Sequence, residues 1–300
     1  MGNKFKAHLA VLMANILYGA NYTIAKEVMP QFIKPFGFIV IRVWCAMILF
    51  IIMAQLFFKE KIDRKDYPRF LLCAIFGVAI NQLLFFKGLS LTSPINSGLM
   101  MVTNPIFVLL MTGIFMNEII NARRILGITC GIAGAVSLIL FGNHPTLDSN
   151  SSAIGDLFVM INSLSYAIYL VIVKPLMKKY HPVTIMQVVF CLGALMVLPF
   201  GYSEYQSVAW SSFSNTIWAA VVFVILGTTF LAYLFNTLAL KELSPAVVSI
   251  YIYLQPLLAA GFAILLGRDS LHLIHFIAAS LIFLGVYLTT SGIAVKNRLN

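Results

Sequence analysis

Charge is what this sequence has least of. Only 10% of its 300 residues are Asp, Glu, Lys or Arg, and 61% are apolar. Soluble domains carry about 25% charged and about 45–50% apolar residues. So little charge cannot cover a surface facing water, and lipid must be the solvent for most of the chain. No span carries a pair of acids, and the five His (His8, His144, His181, His272 and His275) all fall at span ends or in loops. That argues against a Ser-His, paired-acid or metal-ligand constellation at membrane depth, and so against an intramembrane enzyme. Cys45, Cys73, Cys130 and Cys191 stand inside apolar segments at unrelated spacings. They read as small packing groups, with no disulfide frame or metal site. The net charge of +10 does not indicate nucleic acid, because the basic residues sit in short loops, where they record topology. No cofactor or metal is expected. The expected partners are a small-molecule substrate and the lipid bilayer, and a monomer suffices.

What is present is a series of apolar runs, each about the length of a membrane crossing. They fall near 7–28, 36–58, 68–89, 94–116 and 122–141, then 154–175, 183–200, 214–238, 245–267 and 271–293. Strands of a closed barrel would alternate over about ten residues, which these do not, so the fold class is an all-α polytopic membrane protein with ten transmembrane helices. The first run follows Lys4 and Lys6 like a signal peptide, yet it continues through Asn15, Tyr18 and Tyr22 with no small-x-small cleavage site. It reads as a mature helix.

Fifteen basic residues gather on one side: Lys4, Lys6, Lys59, Lys61, Arg64, Lys65, Arg69, Arg123, Arg124, Lys174, Lys178, Lys179, Lys241, Lys296 and Arg298. Four gather on the other: Lys26, Lys34, Lys87 and Arg268. This bias predicts that both termini are cytoplasmic. The polar loop 142–152, free of Lys and Arg, is then outside; its Asn150-Ser151-Ser152 is a formal glycosylation sequon.

The chain also repeats itself. SPINSGLMMVTNPIF (93–107) and SPAVVSIYIYLQPLL (244–258) share Ser-Pro and, eleven residues on, an amide followed by Pro, at an offset of 151. That offset also pairs Glu118 with Asp269 and Gly134 with Gly285; Gly77 pairs with Gly227 at 150, and Asn15 with Asn162 and Pro35 with Pro182 at 147. The reading is two five-helix repeats, 1–145 and 146–300. Because five is odd, the second copy is inverted in the membrane, as in secondary transporters.

The motifs LYGANYTIAK (17–26), PFGFIVIRVW (35–44), LTSPINSGLMMVTNPIFVLLMTGIFMNE (91–118) and ELSPAVVSIYIYLQPLLAAGFAILLGRD (242–269), taken in order and with their doubling, carry a resemblance. The chain resembles the drug/metabolite transporter superfamily, in particular its ten-helix EamA-type exporters, with Tyr18 where Trp is usual. The resemblance covers the whole chain. It implies export of metabolites or amino acids at the inner (plasma) membrane, through a cavity lined by helices 1, 3, 4, 6, 8 and 9.

The residues themselves place polar faces on the same six helices. Helix 1 offers Asn15, Tyr18 and Tyr22; helix 6 offers Asn162, Tyr166 and Tyr169. Helix 3 offers Asn81, Gln82 and Phe86, and helix 8 Thr229, Tyr233 and Asn236. Helix 4 offers Asn96, Met100, Thr103 and Asn104, and helix 9 Ser249, Tyr251 and Gln255. Each group alone is explained as well by interhelical hydrogen bonding; six together point to a shared polar cavity. Pro105 and Pro256 free the carbonyls of Met101 and Ile252 near mid-span, either as plain kinks or as hinges. Asn104 and Gln255 then either cap those carbonyls or touch the cargo. Arg42, within helix 2, reads as structural rather than substrate-binding. Lys87 is a weak anion candidate, Asp156 and Glu27 read as outer span ends, and His272 and His275 as interfacial. Gly127, Gly131 and Gly134 form a close-packing face. With no mid-membrane carboxylate, substrate gradient or exchange is the expected driving force rather than a proton relay. The alternative substrate class is sugar phosphate or nucleotide sugar, in an antiporter of the same superfamily; a channel is more remote.

Overall fold

The structure is a computed structural model that describes residues 2–58, 60–116, 122–141, 149–267 and 270–290. Lys59, Glu118, Arg268, Asp269, Lys296, Arg298 and loop positions 142–148 lie outside the described residues.

Among the described residues the chain is helical throughout, without strands, and its segments group into ten helical units. These are α1 (Gly2–Val28), α2 (Pro35–Phe57), α5 (Ala122–Phe141), α6 (Ser149–Ile172), α7 (Pro182–Gln206) and α10 (Leu273–Thr290), with four interrupted units between them. Among the described residues seven helical runs are long and apolar enough to cross a membrane, and shorter apolar helices cover Ile125–Ser137 and Leu273–Gly285.

The interruptions recur at repeat-related places. In α3, Tyr67–Ala74 and Ile80–Leu91 are joined by a π segment, Ile75–Ala79, around Gly77. In α8, Asn215–Val222 and Ala232–Glu242 are joined by a π segment, Phe223–Leu231, around Gly227. In α4 the helix Pro94–Met101 stops, and Asn104–Met116 resumes just before Pro105. In α9 a 3-10 turn, Tyr251–Tyr253, separates Pro245–Ile250 from Leu254–Leu265, just before Pro256. Both Pro therefore sit at the start of a resumed helix, where a missing N–H costs least. The Ser-Pro pairs start α4 and α9: the Ser93 hydroxyl accepts from the Asn96 amide at 3.1 Å, and Ser244 from Val247 at 3.3 Å.

Packing pairs one half of the chain with the other. α2 lies against α7, α5 against α10, and α4 against α9; α1 lies against α8 and α9, while α3 and α4 lie against α6. Every such pairing has its counterpart when the halves are exchanged. Close approach depends on glycine at the α5–α10 seam. A Cβ on Gly285 would stand 2.5 Å from the Gly127 carbonyl oxygen and 2.6 Å from the Gly131 nitrogen, and one on Gly134 would stand 2.9 Å from the Ala278 oxygen. The small-residue face of α5 thus meets backbone, which cannot give way. At one rim, Tyr205, Trp210, Phe213 and Trp218 cluster with ring centroids 5.2–6.2 Å apart, the residue types that favour a membrane interface.

Gly285→Ala is expected to destabilise the fold by about 1–3 kcal/mol through overpacking. Gly261→Ala, where a Cβ meets nothing within 4 Å, is expected to be neutral or mildly stabilising. Thermal unfolding of the purified protein in detergent separates the two; equal midpoints would contradict the seam.

Candidate functional site: a polar cavity between the two halves

The amides beside the two Pro have different tasks. Asn104 donates to the Ser163 carbonyl of α6 at 2.7 Å. Gln255 donates to Asn15 Oδ1 of α1 at 2.7 Å and accepts from the Tyr22 hydroxyl at 2.7 Å. Neither caps the carbonyl its proline frees. Each instead ties the interrupted helix of one half to the first helix of the other. Thr103 adds a bond to Ser163 Oγ at 3.1 Å, and Asn15 donates onward to the Val11 carbonyl at 2.8 Å.

A third crossing joins α3 to α6 and α8. Asn81 donates to Asn162 Oδ1 at 2.6 Å, and Asn162 donates to the Met101 sulfur at 3.1 Å. Gln82 donates to Asn81 Oδ1 at 3.0 Å and to the Tyr233 hydroxyl. That hydroxyl lies 3.1 Å from the Gly77 carbonyl and 3.0 Å from Asn81 Oδ1. Gly77 belongs to the π segment of α3, whose Phe76 carbonyl also takes a 2.7 Å bond from Ser165. In α8 the π-segment carbonyl of Val224 accepts from Thr228 and Thr229 at 2.9 and 2.7 Å. The π segments thus expose carbonyls and hydroxyls that a regular helix would keep to itself.

These groups surround a partly open cavity. It is lined by Tyr18, Asn21 and Tyr22 of α1, Arg42 of α2, Asn81, Gln82, Phe85 and Phe86 of α3, Met101 of α4, Asn162 and Tyr166 of α6, Tyr233 of α8 and Gln255 of α9. Nine of these lining residues are ones the sequence singled out as cavity candidates. Asn21, Phe85 and Met101 were not singled out, and Arg42 was read as structural. Tyr18, Asn21 and Tyr22 span a single turn, so a stripe of i, i+3 and i+7 positions omitted the residue between two of its members.

The other candidates lie around the cavity rather than on its wall. Asn236 donates to the Tyr18 hydroxyl at 3.2 Å, and Thr229 holds Arg42 Nε at 2.7 Å. Met100 is fully buried, and the Tyr169 ring packs on Gly77. Asn96 and Tyr251 belong to the two ends. At the end where α6 begins, Asp156 is only 1% exposed. It accepts from Thr92 at 2.5 Å and from Asn96 at 2.9 Å, and Asn96 Oδ1 lies 3.0 Å from Nε2 of the buried His275. Asp156 and His275 are therefore interior groups, not the interfacial ones their sequence positions indicated. At the opposite end, His8 Nδ1 meets the Tyr251 hydroxyl at 2.8 Å, again joining α1 to α9. Outside the spans there, Lys179 pairs with Asp66 at 2.9 Å, and the carboxylate holds the ammonium above its ordinary pKa.

Lys26 and Lys174 have a matched role. Lys26 donates to the Thr92 carbonyl closing α3, and Lys174 to the Leu240 and Leu243 carbonyls closing α8. Each places an ammonium at a helix C-terminus, where the backbone dipole favours it. Lys87 lies 6.0 Å over the Phe36 ring, away from the cavity wall.

Comparison with known proteins gives a consistent family. The model of the EamA-like transporter family matches residues 5–140 and again 153–291. An uncharacterized transporter of Bacillus subtilis, YyaM, is 26% identical over 290 residues, covering 95% of this chain and 93% of its own. An uncharacterized transporter of Archaeoglobus fulgidus is 25% identical over 297 residues, covering 95% and 98%. The WAT1-related protein At3g18200 of Arabidopsis thaliana is 24% identical, covering 79% and 69%. A solved crystal structure, 17% identical, superposes with a TM-score of 0.65 over 98% of both chains, a likeness of fold.

Tyr233→Phe removes the hydroxyl on which Gln82, Asn81 and the Gly77 carbonyl converge, and is expected to cost about 1–2 kcal/mol. Tyr253→Phe removes a buried hydroxyl that has no partner and is expected to cost nothing measurable. Unfolding midpoints of the two variants check this; a neutral Tyr233→Phe would contradict the hub.

Proposed function

Because the chain belongs to the EamA-like transporter family, we propose that it is a secondary transporter carrying a small amphipathic metabolite through the central cavity by alternating access. Residues 1–145 and 146–300 act as inverted five-helix repeats crossing the membrane ten times, both termini are cytoplasmic, and net transport is export across the cell's inner (plasma) membrane. The observation that carries this reading is the position of the cavity. It lies where α1, α3, α4, α6, α8 and α9 meet, with wall residues from both halves and polar contacts between the halves at either end.

Alternating access asks for two conformers of similar energy, which a duplicated architecture supplies when the halves exchange shapes. The Asp156–Asn96 contact closes the outer end and His8–Tyr251 the inner. Breaking one while keeping the other opens the cavity to a single side, and the interruptions before Pro105 and Pro256 let the ends of α4 and α9 move without unwinding. Aromatic rings with a few placed amides suit a solute of amino-acid size. With no acid among the described lining residues, the solute's own gradient or counter-exchange drives the cycle. A sugar-phosphate cargo is less well served: Arg42 is the single cation among the described wall residues.

The test is counterflow in proteoliposomes with a panel of amino acids, organic acids and nucleosides, repeated with Gln255→Ala. A compound that exchanges in the wild type is expected to lose about tenfold or more of its rate when Gln255 goes, since an orienting buried hydrogen bond is lost. Unchanged exchange would remove Gln255 from the transport site.

A further inference from the structure

Among the described residues Arg42 is the largest fully buried side chain, 2% exposed and on the cavity wall. Its Nε donates to Thr229 at 2.7 Å, and its guanidinium carbon stands 4.0 Å from the centre of the Phe86 ring. Nη1, also buried, has no acceptor among the described residues. No carboxylate faces it: the described wall consists of Tyr, Phe, Met, Asn and Gln side chains besides Arg42 itself. A guanidinium keeps its charge in any protein setting, and a buried charge is costly unless paired. Thr229 and Phe86 hold the group in place and leave Nη1 without an acceptor among the described residues. Thr229 is itself held by the π segment of α8, so the irregular backbone there fixes the direction of the guanidinium.

We propose that Arg42 is the anion anchor of this cavity and that the cargo is an amphipathic organic monoanion: a carboxylate on an aromatic or other apolar body. The inference rests on the cavity being the transport site and narrows its substrate class. One guanidinium matches one carboxylate bidentately; a phosphate dianion asks for more positive charge than the described wall has. A zwitterion would bring an ammonium into a low-dielectric space that already holds Arg42 and offers it no acid. The body of the solute lies against Tyr18, Tyr22, Phe85 and Tyr166. Gln82 Oε1, buried and without a partner among the described residues, accepts from one neutral donor such as a phenol.

Three probes of nearly equal size separate the possibilities: 4-hydroxyphenylacetate, its neutral amide 4-hydroxyphenylacetamide, and L-tyrosine. Binding to the full-length protein in detergent is read by ligand-induced shift of the unfolding midpoint across a concentration series. The expected result is that the carboxylate binds about tenfold or more tighter than the amide or the amino acid, the scale of a charge-assisted hydrogen bond. Arg42→Gln is expected to abolish that preference, and Arg42→Lys to retain part of it. The wild-type comparison decides the anion preference even if Arg42→Gln fails to fold. Equal or tighter binding of the amide or of tyrosine overturns the inference. A preference unchanged in both Arg42 variants overturns the assignment to Arg42. The reading it rests on fails separately: if 4-hydroxyphenylacetate binds but shows no counterflow, the anion site stands and transport through it does not. If a neutral solute exchanges while the anion neither binds nor exchanges, transport stands and the anion site falls.

Discussion

In hydrocarbon no water is at hand to satisfy a polar group, so an amide or hydroxyl within the spans is costly unless it finds a partner in the protein or faces a watery cavity. This chain meets the constraint mostly across the boundary between its halves. Gln255 reaches Asn15, Asn104 reaches the Ser163 carbonyl, and Asn81 reaches Asn162. Within lipid, apolar packing alone gives helices little reason to prefer one neighbour, because lipid tails are as apolar as leucine. The amides supply direction where the small-residue seams supply closeness.

The same constraint explains the irregular backbone. Among the described residues four helical units are interrupted, and the π segments of two of them turn carbonyls toward the interior, where Tyr233, Ser165 and the α8 threonines take them. A regular helix would have no backbone groups to offer. The cavity is therefore a region where polar groups outnumber what regular helices require, with aromatic rings closing the spaces between them. Arg42 is the extreme case, a charge that the described surroundings hold by one hydroxyl and one ring face.

Much of this was legible in the sequence. The doubled Ser-Pro and amide-Pro phrases located the helix starts and both interruptions, because Ser capping and the missing proline N–H are local properties. The stripes on helices 1, 3, 6 and 8 pointed inward, since period 3.6 and the cost of polarity in lipid leave few other choices. What escaped was set by tertiary neighbours. Nothing in FGVAIN or LGTTFL marks a π segment, because Gly77 and Gly227 make ordinary helix as readily. Asn96 shares a face with Met100 and Thr103, yet it sits a turn from the helix start and ends in the Asp156–His275 cluster. The sequence shows Asp156 near an end; only the arrival of Thr92 and Asn96 from the other half buries it. Arg42 looked structural because an isolated arginine in a span has no partner visible along the chain, and its role depends on which helices face it.

The central claim is that one cavity between the halves is reached from each side of the membrane in turn. Its most direct measurement places a single cysteine at Met101, on the cavity wall, in protein lacking Cys45, Cys73, Cys130 and Cys191. A membrane-impermeant thiol reagent is then applied from one side at a time. The account requires labelling from either side, slowed on both by the transported solute. Labelling confined to one side under all conditions, or a rate indifferent to solute, would contradict it.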